Sequence, residues 1–234
     1  MQVSYILAGY NEETLIESAI ERCVSALEHA FDDYELILVD DASTDRTGEI
    51  MEQATLKNQK IKVLHNLVNL NFGASVLRGM MAAQKEWVVY NAVDLPVYPE
   101  EMADILRTAQ DYDVLVLERA NYNAVFWRKI TSNINTLMLH ILFPWLMRGT
   151  PITNYNQAFR KDCIKSCLPL ARSPIFVWPE MIFRAKLLGL RVGNLVHTPH
   201  IDKRRKGAFG KPHDICWGIY DMLRFRVRLW QSKI

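Results

Sequence analysis

The sequence alternates short runs of apolar, often β-branched residues with longer stretches whose apolar positions recur every three to four residues. The runs at 3–8, 35–39, 61–64, 87–93, 113–117 and 191–196 read as strands, several of them buried on both faces because no polar side alternates along them. Between the first two runs, residues 14–29 put Leu15, Ala19, Cys23, Ala26 and Leu27 near helical spacing, and 46–57, 74–85, 100–110 and 180–188 continue the pattern as helices. The punctuation agrees. Thr44 or Asp45 can cap a helix, Asn69-Leu70-Asn71-Phe72-Gly73 reads as a turn, Pro99 with Glu100 and Glu101 opens a helix, and Gly189 closes one. Strands alternating with helices at this spacing predict an α/β fold, a doubly wound, mostly parallel sheet with helices on both faces and right-handed crossovers. Residues 121–148 are aromatic, basic and helical in pattern, and 214–230 form an amphipathic segment. No repeat or linker interrupts the order, so residues 1–212 are expected to be one domain and 213–234 a basic amphipathic C-terminal helix.

Composition narrows this picture. The chain has 234 residues, half of them hydrophobic, which is ample for a globular core. A formal charge of +2 gives no ground for a nucleic-acid partner. Cys23, Cys163, Cys167 and Cys216 are scattered without the spacing of a structural zinc site, so free thiols in a reducing cytoplasm are expected. His197, His200 and His213 also lack a tight ligand spacing. The first strand starts without a basic leader or cleavage site, so no signal peptide is expected. The apolar stretch 137–147 is interrupted by His140 and Pro144 and falls short of the ~18 residues of a spanning helix. It reads as buried or interfacial.

Candidate chemistry gathers where strands end. Asn11, Glu12, Asp40, Asp41, Asp45 and Asp94 all follow apolar runs, and in open α/β sheets ligands bind outside the carboxyl ends of the strands. Carboxylates there can bind a ribose or base, or hold a divalent cation against a diphosphate. Helix capping is the alternative, and Asp45 suits it best. Neither a Gly-x-x-x-x-Gly-Lys-Ser/Thr loop nor a Gly-x-Gly-x-x-Gly turn is present, which disfavours P-loop nucleotidases and ordinary dinucleotide dehydrogenases.

Tyr10-Asn11-Glu12-Glu13, followed by Leu38-Val39-Asp40-Asp41-Ala42-Ser43-Thr44-Asp45-Arg46-Thr47, resembles family 2 glycosyltransferases of the GT-A fold. Asn71-Phe72-Gly73-Ala74 with Arg78-Gly79, and Asp94-Leu95, fit the family's later blocks; the resemblance is nearest to the polyprenyl- or dolichol-phosphate sugar transferases. It implies that Ala8, Tyr10 and Glu12 line a nucleotide pocket, with Asp40 and Asp41 near the base or ribose. It implies that Asp94 faces the diphosphate and a Mg²⁺ or Mn²⁺ ion, that Arg119 and Arg128 contact phosphate, and that Glu180 is the acid of a later helix. Arg204 and Lys211 match a basic loop over the diphosphate. Guanidinium groups suit phosphate because their planar fork binds two oxygens at once. The pattern is broken where relatives carry Asp-x-Asp and a further polar residue, since Ala92, Asp94 and Pro96 stand there. It is broken again at Asn154-Tyr155-Asn156-Gln157-Ala158-Phe159-Arg160, where an acid near Asn154 and small residues before the aromatic are usual.

The resemblance implies an inverting enzyme that moves a sugar from a nucleotide-diphospho-sugar to a polyprenyl phosphate. Two alternatives stay open. One transfers to a glycan hydroxyl, with Glu180 or Asp162 as base; the other is a non-catalytic nucleotide-sugar-binding module. The C-terminal segment interleaves Trp217, Tyr220, Met222, Leu223, Phe225, Val227, Leu229 and Trp230 with Arg224, Arg226 and Arg228. It can pack on the domain or lie in a bilayer interface, and a lipid acceptor favours peripheral attachment to a membrane surface.

Overall fold

The computed structural model describes residues 1–119, 126–149, 156–197 and 212–231, with the side chains of 119, 126–131, 197 and 212–214 outside the description. Among the described residues seven strands form one sheet: β1 (Gln2–Gly9), β2 (Asp33–Asp40), β3 (Ile61–His65), β4 (Trp87–Ala92), β5 (Val114–Arg119), β6 (Gln157–Arg160) and β7 (Val192–His197). The described helices are α1 (Ile16–Ala30), α2 (Thr47–Lys57), α3 (Asn71–Ala82), α4 (Pro99–Thr108), α5 (Phe126–Leu142), α6 (Lys161–Cys167), α7 (Val177–Leu187) and, after the last strand, α8 (Pro212–Trp230).

The strand order is β3-β2-β1-β4-β6-β5-β7. All pairs are parallel except those of β6, which runs antiparallel to β4 and β5. The expected alternation is therefore present, with one short reversed strand that the apolar pattern did not announce. The chain leaves β1 toward β2 on one side and returns to β4 on the other, so a crevice opens between the carboxyl ends of β1 and β4.

Strands buried on both faces need two apolar layers, and the sheet has them. Tyr5, Leu7, Leu36, Leu38 and Val89 pack under α1, α2 and α4. Ile6, Ile37, Val39, Val88 and Tyr90 pack under α3, α5, α6, α7 and α8. In the second layer Phe143, Phe176, Phe183 and Phe225 form a ring cluster with centroids 4.9 Å (Phe143–Phe183) to 6.1 Å apart. Gly79 lets α3 lie directly on the sheet, because a Cβ there would sit 2.6 Å from Ile6 Cγ2.

Two expectations are refined. The segment read as a turn over Asn69–Gly73 is already helical from Asn71, earlier than the expected start at Ala74, and Asn71's φ of +69° makes the bend that admits the helix. The C-terminal helix is more than an appendage: Met222 and Phe225 are buried in the second layer, and Asp221 accepts the backbone N–H groups of Arg172 and Ser173, each at 2.9 Å. Its other side exposes Tyr220, Leu223, Val227 and Trp230.

Candidate active site

The loops after β1 and β2 are stitched together by their own side chains. Asn11 N–H donates to Ser43 Oγ at 3.1 Å, and Asn11 Oδ1 accepts from the Thr44 N–H at 2.8 Å. Glu12 N–H donates to Thr47 Oγ1 at 2.7 Å, Glu13 N–H to Asp45 Oδ2 at 3.2 Å, and Arg46 N–H to Glu13 Oε2 at 3.1 Å. Asp45 Oδ1 also accepts from the Thr47 N–H at 2.9 Å, so this acid bonds to the first residue of α2 from just before its N-cap, Arg46. Most of the polar residues in the two most specific sequence blocks therefore bond to one another. Tyr10 is left on the crevice rim with 45% of its surface exposed, above the buried Ala8.

Asp40 and Asp41 are both buried but do different things. Asp40 accepts from the Ser43 N–H at 3.0 Å and faces His65 Nδ1 at 2.9 Å, while His65 Nε2 lies 2.8 Å from Glu52. Burial pushes the Asp40 carboxyl up, yet the bonds from Ser43 and His65 outweigh it and hold the group below its ordinary value. The same bond to Asp40, then that to Glu52, raises His65. Asp41 Oδ1 accepts from Asn66 Nδ2 at 2.8 Å and from the Leu70 N–H at 2.7 Å. Asn66 also donates to Ser75 Oγ at 2.8 Å and accepts from Arg78. Asp41 thus ties β2, the β3–α3 loop and α3 into one wall of the crevice. Asn66 and His65, unremarked in the sequence, stand where the β3 run turns polar, and that change was the available signal.

Asp94 lies in the turn after β4, half-buried, with Leu95 at φ +45° behind it. Asn11 (φ +54°), Ala42 (φ +62°), Asn71 and Leu95 are the non-glycine residues of positive φ among those described. All four follow the adjacent strands β1, β2, β3 and β4. For alanine and leucine the left-handed conformation costs on the order of 1–2 kcal/mol, and such strain clusters where surrounding structure fixes a functional edge. Gly9 belongs to the same edge, since a Cβ there would meet Val93 Cγ2 at 2.9 Å.

The remaining candidates are spread differently. Arg119 ends β5 in register with His197, and Arg128 lies on α5. Arg204, Lys211, Asn154 and Tyr155 lie outside the described residues. Glu180 is buried at the start of α7, and its carboxylate is committed. Oε1 accepts from the Leu170 N–H at 3.0 Å and Arg184 Nε at 2.9 Å, and Oε2 from the Ala171 N–H at 2.7 Å. Asp162 follows β6, whose last residue pairs with Trp87 at the start of β4, so it lies at the sheet edge opposite Asp94. Among the described residues no three His, Cys, Asp or Glu side chains converge as a metal cluster. A cation beside Asp94 would take one protein carboxylate, because Ala92 and Pro96 offer no side-chain oxygen.

Residues 4–172 match the family model described as glycosyl transferase family 2. The chain belongs to this family. Undecaprenyl-phosphate 4-deoxy-4-formamido-L-arabinose transferase of Photorhabdus laumondii is 33% identical over 182 residues, covering 75% of this chain and 54% of the relative. The enzyme of the same name from Pectobacterium carotovorum is 33% identical over 181 residues. The chain spans about half the length of these curated relatives (54%). Among solved structures, glucosyl-3-phosphoglycerate synthase from Mycobacterium tuberculosis in complex with Mn²⁺, uridine diphosphate and phosphoglyceric acid superposes with a TM-score of 0.66. The identity is 19%, over 96% of this chain and 78% of the other. The family 2 domain described above therefore has the GT-A fold.

Proposed function

We propose that this chain carries an inverting glycosyltransferase activity that moves a sugar from a nucleotide-diphospho-sugar to a polyprenyl phosphate at a membrane surface. The observation that favours a phosphate acceptor over a hydroxyl is the state of the two candidate bases. A hydroxyl acceptor needs a carboxylate to take its proton. Glu180 is saturated by two backbone N–H groups and Arg184, and Asp162 lies at the wrong edge. A phosphate monoester is already ionised near neutral pH and needs positioning instead. The 33% identity to undecaprenyl-phosphate transferases supports the same reading.

In this mechanism Ala8, Tyr10, Glu12 and the Asp40–Asp41 wall receive the nucleoside, and Asp94 faces the diphosphate. Arg119 and Arg128 hold the acceptor phosphate, and Arg204 and Lys211 bind the leaving diphosphate. An acceptor phosphate oxygen attacks the anomeric carbon from the face opposite the leaving group. The new C–O bond forms as the bond to the nucleoside diphosphate breaks, so configuration inverts. Mg²⁺ or Mn²⁺, held by Asp94 with water and the diphosphate supplying the other oxygens, would offset the charge of the leaving group. Glu180 acts here as a structural anchor for residues 168–173.

The membrane contact is assigned to α5 and α8. Ile134, Leu137, Ile141 and Trp145 form one exposed stripe, and Tyr220, Leu223, Val227 and Trp230 another, at spacings of three and four. The Arg226 guanidinium lies 4.6 Å from the Trp145 ring centroid and joins the two stripes. Exposed apolar stripes flanked by arginines suit an anionic bilayer interface at the cytoplasmic face. No helix among the described residues is long and apolar enough to cross a membrane. Incubating the protein with labelled nucleotide-sugars and undecaprenyl phosphate tests the reading: lipid-linked sugar is expected, and transfer only to soluble saccharides would refute it.

A further inference from the structure

Helices α1 and α2 lie side by side on the face of the sheet that carries α4, and between them runs a groove of about 380 Å³. Both helices follow parallel strands, so they run in the same direction, away from the carboxyl edge of the sheet. The lining is apolar along its length. Ile20, Ala54 and Ile61 contribute from buried positions, and Val24 and Ile50 from half-buried ones. Glu17, Glu21 and Lys57 flank these side chains and are exposed, so the groove opens to solvent.

The rim is charged unevenly. Glu17, Glu21 and Glu28 line the groove from α1, at spacings of four and seven residues that bring them to one side of the helix. Glu28 accepts from Tyr34 Oη at 3.0 Å, while Glu17 and Glu21 stand exposed. On the α2 side, Lys57 in the last turn is the cation among the described lining residues. Arg46, before the first turn of α2, is engaged by Glu49 at 3.2 Å. The charge selects among occupants. A second copy offering the same groove would set acid against acid, and an anionic bilayer would be repelled. A basic partner is drawn in.

A helix is the shape that two adjacent helices receive, because its ridge of side chains drops into the groove between theirs. The helix dipoles set its direction. Both α1 and α2 end near Glu28 and Lys57, so an incoming helix lies best with its N-terminus at that end. Run that way, its first turns meet Lys57, where acids are favoured. Its last turns meet Glu17 and Glu21, where lysines and arginines are favoured. The helices α5 and α8 pack on the other face of the sheet, so a membrane touching them leaves this groove open.

We propose that the α1–α2 groove docks a basic amphipathic helix of a partner protein, antiparallel to α1, with apolar side chains against Ile20, Val24 and Ile50 and cations opposite Glu17 and Glu21. The probe is a fluorescein-labelled helical peptide of about 18 residues, five turns long. It carries leucines along one stripe, lysines elsewhere, and a photoreactive benzophenone in place of its last leucine. A second peptide has glutamate in place of lysine. Anisotropy is expected to show micromolar binding of the lysine peptide and none of the glutamate peptide, with cross-links on the first turns of α1 and α2. Glu17→Lys with Glu21→Lys should weaken the lysine peptide by about tenfold. Both side chains are exposed, so the melting temperature should stay within about 2 °C of wild type. Asp111→Lys with Asp162→Lys, the same change of charge outside the groove, should weaken it by less than about twofold. Equal weakening by the two pairs would overturn the proposal, since general attraction would then account for the binding. So would equal binding of both peptides, no binding by wild type, or cross-links confined to α5, to α8 or to the Lys57 end. A wild type that self-associates in sedimentation, and is returned to monomer by the Glu17–Glu21 pair, would put a second copy in the groove and overturn it too.

Discussion

The two halves of the sheet treat their polar groups in opposite ways. Along β3-β2-β1-β4, Asn11, Asp40, Asp41, Asp45 and Asn66 all bond to neighbouring loops, and four left-handed residues hold those loops in shape. Across β6-β5-β7, Gln157 and the Oδ1 of Asn194 are buried without partners, and the flanking helices α5 and α8 show apolar stripes to the surface. A pre-built wall with satisfied bonds suits a ligand received in one fixed pose. The difference teaches that the signature residues of the sequence largely bond to one another and shape the wall of the crevice.

The largest expected effect tests whether Glu180 is an anchor. Glu180→Ala leaves the Leu170 and Ala171 N–H groups and Arg184 without their buried partner, and urea unfolding should show a loss of about 3–5 kcal/mol. A folded protein of unchanged stability, defective only in turnover, would return Glu180 to catalysis. Asp41→Ala removes the acceptor of Asn66 and the Leu70 N–H. A stability loss of about 1–3 kcal/mol is expected, with weaker binding of nucleoside diphosphates in calorimetry. Unchanged binding would break the contrast between the two halves.

A smaller effect follows from the Asp40–His65–Glu52 chain. His65 is raised above its ordinary 6.5 in the folded state, so its contribution is complete below that value and fades as pH rises through the folded value. Asp40 is held below 3.8, so its contribution is present above that value and fades as pH falls through the folded one. Stability should therefore decline as pH rises from about 6.5, by less than about 1 kcal/mol because His65 is partly exposed. His65→Gln should flatten the decline, and a decline of the same size in that variant would contradict the assignment. The smallest stability effect belongs to the outer face of α8. Leu223→Glu with Val227→Glu should alter stability by less than about 0.5 kcal/mol. The same pair should lower sedimentation with anionic vesicles by about tenfold. Undiminished vesicle binding would remove α8 from the membrane contact.

The parallel strands and their helices were legible because each is a local pattern: an apolar run, a cap, a helical stripe. β6 was not legible. It is four residues long, mixes Gln157 and Arg160 with Ala158 and Phe159, and exists by pairing with strands distant in sequence. The strand-end acids were visible as a set, but their division of labour was not. Asp45 and Asp40 turned inward to loops, and only the fold shows which oxygen meets which N–H. Glu180 was read as a site acid, and position could not reveal that the Leu170 and Ala171 N–H groups fold back onto its carboxylate. The amphipathic pattern of 214–230 left packing and membrane contact as alternatives. The helix does the first with Asp221, Met222 and Phe225, while Tyr220, Leu223 and Trp230 remain for the second.

The central claim is tested most directly by following label from a panel of nucleotide-sugars into undecaprenyl phosphate, with wild type and Asp94→Ala side by side and Mg²⁺ or Mn²⁺ present. The account predicts a lipid-linked product with one donor, made by wild type and lost in the variant by at least about a hundredfold. Equal product from both proteins, or none from wild type with any donor, would contradict it.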